Sequence, residues 1–158
     1  MIRFLRVLTL LVPLAAHAGF DEAIEAYTVG DYAKAMAEFK PLAQQGDAKA
    51  QYFTGFLYHR GYGIDRDDAQ AAGWFRKAAD QGDSLAQFYL GKMYEKGEGV
   101  DKDLTQAHLW LSLSAKNAPN ARDASYTRED IQKLEKKMTP EQIAKAKDLA
   151  KQWKPEKT

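Results

Sequence analysis

Residues Ala48 to Asp83 recur, without a gap, as Ser84 to Pro119. Ala50 aligns with Ala86, Gln51 with Gln87, Gly55 with Gly91 and Tyr58 with Tyr94, and the register then holds through the turn. There Gly61 meets Gly97, Gly63 meets Gly99, Asp67 meets Asp103, Ala71 meets Ala107 and Trp74 meets Trp110. Self-similarity at a period of this size marks a unit that cannot bury its apolar face alone and must stack against its neighbours. A tandem array is therefore the architecture that all other features must fit.

Within a unit, Tyr52, Gly55, Phe56 and Tyr58 fall at helical spacing, and the paired glycines end that helix. Asp65 or Asp67 is placed to cap a second helix along which Ala71, Trp74 and Ala78 recur, before Gly82 closes it and Asp83 caps the next. A weaker unit lies upstream: a helix over Asp21 to Val29, a Gly30-Asp31 turn, then a helix from Tyr32 to Gln45 carrying Ala35, Phe39 and Leu42. Downstream the register fails. Ile131, Leu134 and Met138 mark one more amphipathic helix, and Thr139-Pro140-Glu141-Gln142 opens a last one with a capping-box pattern and proline at its first position. Its stripe of Ile143, Ala146, Ala150 and Trp153 is expected to cover the open end of the array, as terminal repeats require. The expected fold is all-α, an α-solenoid of helix-turn-helix units with C-terminal capping helices.

The segments AQYFTGFLYHRGYGIDRDDAQAAGWFRKAADQGD and AQFYLGKMYEKGEGVDKDLTQAHLWLSLSA resemble Sel1-like repeats, a variant of the tetratricopeptide class. The leading unit, with GDYAKAMAEF, is more similar to a plain tetratricopeptide repeat, and the MTPEQI ending is similar to tails that follow such arrays in bacterial members. The resemblance implies a solenoid that binds or scaffolds other proteins, and implies no reaction. Some cysteine-rich members are linked to peptidoglycan or β-lactam binding, but this chain has no cysteine, the feature that would carry that link over.

The paired glycines could be taken for a phosphate-cradling loop. That loop needs a preceding strand, a further glycine and a lysine opening a helix, and neither copy supplies them. A structural joint is the simpler reading: one or both glycines take positive φ to reverse the chain, and the residue between them, Tyr62 or Glu98, varies because it faces water. The aspartates around each turn lack the closing glutamate of a calcium loop and read as helix caps. No cofactor or metal set is legible.

The first eighteen residues read differently. Arg3 and Arg6 precede an apolar run from Val7 to Ala16, and Ala16-His17-Ala18 follows the small-residue pattern of a cleavage site. The run is too short to span a bilayer. The expected organisation is a signal peptide over 1–18, cut after Ala18, a repeat array over 19–119, and capping helices and tail over 120–158. Without Arg3 and Arg6 the chain keeps 21 basic against 22 acidic residues, a balance that does not favour nucleic acid. A periplasmic or secreted protein without disulfides, and with no membrane span after cleavage, is expected.

Enzyme chemistry has little to work with. Beyond the leader only His59 and His108 remain, outside any His-Glu-x-x-His pattern, and Ser84, Ser112, Ser114 and Ser125 sit in no nucleophile elbow. Trp74 and Trp110 share the phase of the other apolar positions and read as core. The expected function is a non-catalytic protein- or peptide-binding scaffold of the cell envelope; the alternative is a cell-wall-directed hydrolase or a peptidoglycan-fragment or β-lactam-binding protein on the same frame. First helices of such arrays line a concave side, which here would present Tyr27, Tyr52, Phe56, His59, Phe88, Lys92 and Glu95 to a partner. Phe56 stands out because its counterpart Lys92 is polar, so the position is not obliged to be core. Three such helices offer roughly 600 Å² of face, below the ~800 Å² per side of a standard interface, which suits a peptide or a small domain.

Overall fold

The computed structural model describes residues 14–156. Among these are eight helices and no strand: α1 (Leu14–Thr28), α2 (Tyr32–Gln44), α3 (Ala48–Arg60), α4 (Asp68–Asp80), α5 (Ser84–Lys96), α6 (Leu104–Asn117), α7 (Ala121–Glu135) and α8 (Pro140–Gln152). Each of α1 to α6 packs on the next in chain order, so the chain is an all-α solenoid of helical hairpins. The first helix begins earlier than its apolar pattern suggests, at Leu14, and so runs through the expected cleavage point. Arg3, Arg6 and most of the leader's apolar run lie outside the described residues.

Caps explain where the helices start. Asp31, Asp47, Asp67, Asp83 and Asp103 each accept a backbone N–H from the first turn of α2 to α6 in order, satisfying a donor the helix cannot. Of the two candidates before α4, Asp67 is the cap. Thr139 and Gln142 form the reciprocal capping box expected at α8.

The paired glycines do two different jobs. Gly61 and Gly97 end α3 and α5 in the left-handed conformation, φ +67° and +76°. Gly63 and Gly99 also have positive φ, and they press on the unit behind: a Cβ on Gly63 would overlap the Tyr32–Ala33 peptide at the start of α2, and one on Gly99 the Asp68 carbonyl at the start of α4. The residue between them does not simply face water. Tyr62 is half-exposed, yet its ring stacks on Tyr32 at 4.5 Å; Glu98 in the second copy instead lies 3.7 Å from Lys96.

Polar contacts repeat with the same register. Lys40 donates to the Tyr58 hydroxyl and Arg76 to that of Tyr94. Gln51 and Gln87 donate to the carbonyls of Ala43 and Ala79 at 3.1 and 3.0 Å, and in turn accept from Gln81 and Asn117. One extended core contains Phe39, Leu57, Phe75, Leu90 and Trp110, and Trp74 belongs to it as well. Arg76 lies 4.8 Å over the Trp110 ring.

The last helix does not take its expected place. α7 covers the end of the array, where Leu134 joins Ala107 and Leu111 in a second core flanked by Phe88, Ile131 and Met138. α8 does not lie over that end; it packs along α6 and points back toward α4, where Trp153 meets Gly82 and the Glu156 N–H bonds to the Asp80 carbonyl at 2.8 Å. The reason lies in α6, whose face carries Leu109 and Leu113 where α4 has Gly73 and Lys77. That extra apolar surface needs a cover, and Leu149, Ala150 and Trp153 supply it.

Candidate functional site

The first helices of successive units, α1, α3 and α5, are joined by aromatic rings. Phe53 sits 5.4 Å from Tyr27 and is stacked on Phe39 at 4.7 Å. Phe56 lies 6.3 Å from Tyr27 of α1 and 5.6 Å from Tyr89 of α5. Tyr52 lies 6.0 Å from Tyr89, and Tyr89 stacks on Phe75 at 5.2 Å. The strip is neither core nor free surface: Tyr27, Tyr52, Phe53, Phe56 and Tyr89 are all half-buried.

Four of the expected contact residues come together here. Tyr27, Tyr52 and Phe56 belong to the strip, and His59 borders it, 6.0 Å from Tyr89. Burial, reinforced by Tyr89 and Tyr27, pushes the Tyr52 phenol far above its ordinary 10, so it stays an uncharged donor at any physiological pH. The Tyr27 phenol is raised by burial too, then by the nearby phenols of Tyr32, Tyr62 and Tyr89. Within the described protein the phenol hydroxyls that bond are those of Tyr58, Tyr94 and Tyr126, which leaves those of the strip unengaged.

The other three stand apart. Phe88 packs with the second core. Lys92 pairs with Glu95 at 2.7 Å and with Asp130 of α7 at 3.4 Å, and Glu95 also pairs with Lys137 at 2.9 Å. Burial opposes the charge on Glu95, but the hydrogen bonds from Lys92 and Lys137 outweigh it and hold the carboxyl below its usual value. The strip thus ends at α5, where an ion-pair net takes over.

Three members escaped sequence reasoning: Phe53, Tyr89 and Arg60. Tyr89 is central, touching Tyr52, Phe56, His59, Phe75 and Phe88. Its signal was present, since Tyr52-Phe53 and Phe88-Tyr89 are aromatic pairs in register. Arg60, exposed and 5.2 Å over the Phe56 ring, has no such signature, because its counterpart Lys96 has no aromatic beneath it.

Both histidines are engaged. His59 Nδ1 lies 2.8 Å from Asp68 Oδ1, while Arg66 holds the other carboxylate oxygen at 2.7 Å. Burial works against the Asp68 charge, and the Arg66 and His59 hydrogen bonds prevail, lowering its pKa. His108 is more suggestive of chemistry: Ser112 Oγ sits 3.2 Å from Nδ1 and Glu135 Oε1 2.9 Å from Nε2, a serine–histidine–carboxylate chain that the i, i+4 spacing on α6 makes possible. Yet the ring is 1% exposed and both nitrogens are occupied, so no edge is left to meet a substrate. With Lys147 3.1 Å from Glu135, the chain ties α6, α7 and α8 together.

An all-helical solenoid with an aromatic strip across its first helices is a repeat scaffold in class. Residues 48–83 and 84–118 match the Sel1 repeat family model, and the chain is a Sel1-like repeat protein. Repeats of this family typically mediate protein interactions. The fold is similar to that of a protective antigen present in uropathogenic Escherichia coli strains displaying an SLR fold, at 33% identity and TM-score 0.79, over 87% of this chain and 29% of that one. It is also similar to a Sel1 repeat protein from Oxalobacter formigenes, at 33% identity and TM-score 0.62, over 68% of this chain and 44% of that one. The chain thus spans less than half the length of either. No curated protein matches it.

Proposed function

We propose that the protein is a non-catalytic scaffold of the cell envelope that holds a protein or peptide partner on the concave side formed by α1, α3 and α5. The observation that carries this reading is the aromatic strip, in which rings from three successive units stay half-exposed with their hydroxyls unengaged. Aromatic side chains of this kind anchor interfaces because they bring large contact area at little conformational cost. The non-catalytic part is supported by the full burial of His108 and by His59 having a carboxylate, and no hydroxyl nucleophile, at its Nδ1. The envelope part rests on the leader pattern of residues 1–18, with a mature chain beginning at Gly19.

A photo-crosslinking aromatic residue in place of Tyr62, which is exposed and 6.4 Å from Phe56 beside the strip, should trap a discrete partner in the native cell. The same residue at position 77, on α4 away from the strip, should not. Equal labelling from both positions, or none from position 62, removes the strip as the binding face. The mass of the purified protein tests export separately, since a chain that retains residues 1–18 contradicts it.

A further inference from the structure

We infer that the aromatic strip takes an extended peptide segment of about five or six residues, with an acidic side chain near its middle held by Arg60. The inference rests on the scaffold reading and adds the class of ligand.

Length follows from the boundaries of the floor. Rings run from Tyr27 on α1 through Phe56 on α3 to Tyr89 on α5, with centroid steps of 6.3 and 5.6 Å. Beyond α5 the Lys92–Asp130 and Lys137–Glu95 pairs close the surface against α7 and its C-terminal turn. Two interhelical steps of ~8–10 Å make the floor roughly 16–20 Å wide, and an extended chain covers that in about five or six residues at ~3.3 Å each.

Polarity selects a peptide backbone. An extended segment arrives with carbonyls that need donors. The strip offers the unengaged hydroxyls of Tyr27, Tyr52 and Tyr89, each able to donate to a carbonyl and to accept from a backbone N–H, and burial keeps the protons of Tyr27 and Tyr52 in place.

Charge selects the acidic side chain and its position. α3 carries Lys49, His59 and Arg60 and no carboxylate, whereas α1 carries Asp21, Glu22 and Glu25. On the α5 and α4 sides the nearest charges are paired, Lys92 with Glu95 and Asp130, and Asp68 with Arg66 and His59. Arg60 pairs with no carboxylate among the described residues and rests on the Phe56 ring. It stands on the middle helix with aromatic floor to either side, so a carboxylate reaching it belongs to a side chain within the segment and not to the end of a chain.

Selection of random twelve-residue peptides, displayed with their C-termini fused, on the purified protein tests this directly. The recovered peptides should share an acidic residue flanked by apolar ones. An end-blocked synthetic version should bind in a fluorescence anisotropy titration and lose on the order of tenfold in affinity with Arg60→Glu, equivalent to about 1.4 kcal/mol. Exchanging the peptide's acidic residue for lysine should restore binding to that variant. Arg60 is exposed, so an unchanged helical spectrum and melting curve will certify that the variant is folded. Binders without an acidic residue, binders indifferent to Arg60→Glu, or no binders at all would each overturn the inference. None of those results touches the scaffold reading, which stands or falls on the crosslink from position 62.

Discussion

Gly99 and Gly73 are chemically identical and energetically opposite. At Gly99 the backbone has φ +67° and an added Cβ would run into the Asp68 carbonyl, so Gly99→Ala should cost on the order of 3 kcal/mol through strain and overpacking. Gly73 lies in the exposed face of α4 with nothing within 4 Å of an added Cβ, and Gly73→Ala should stabilise by about 0.5–1 kcal/mol. Urea unfolding of the two variants beside the parent measures both, and a similar shift in both would contradict the docking role of the turn. Thr54 offers a third comparison. It is fully buried and its hydroxyl has no partner among the described residues, whereas the aligned position in the next unit is Leu90. Thr54→Val keeps the shape and removes the orphaned group, so the midpoint of unfolding should rise by the equivalent of about 1 kcal/mol.

At the scale of the helix, caps and turns were legible because their chemistry is local: an aspartate before each of α2 to α6, a glycine pair after α3 and α5, a threonine and glutamine around Pro140. The placement of α7 and α8 was not, because each has an apolar stripe and no pattern says which surface it meets. What decides is α6, whose Leu109 and Leu113 attract α8 along its length, while Leu134 takes α7 to the open end. The His108–Glu135–Lys147 chain then fixes both. Hydrogen bonds from His108 first, and then Lys147, hold the Glu135 carboxyl below its ordinary 4.5, against the opposing effect of burial. A carboxyl depressed in the folded state adds stability that is complete above the unfolded value and is lost as pH falls through the folded one. Glu135→Gln should therefore be less stable than the parent at pH 7, and the gap should narrow as pH falls past the ordinary 4.5 and close below the lowered folded value. Thermal melts across that range provide the check, with a gap independent of pH counting against the ionised partner.

For the molecule as a whole, periodicity alone disclosed the solenoid, since stacking is the physical answer to units with unburied stripes. The strip was half disclosed. Tyr27, Tyr52, Phe56 and His59 follow from helical phase, but the ion-pair net at Lys92 and Glu95 depends on α7, a helix outside the repeat register. Deleting residues 139–158 should uncover the α6 face and the Gly82 end of α4 together, giving a chain with a sharply lowered melting temperature and a tendency to associate; sedimentation and circular dichroism would reveal a truncated form that instead behaves like the parent. The contact of Gly63 with the start of α2, and of Gly99 with the start of α4, is main chain against main chain. The array therefore carries its own ruler. Pitch from one hairpin to the next is gauged by backbone, independent of which side chains decorate the faces, so a surface could be rewritten for a new ligand without altering the curvature that presents it.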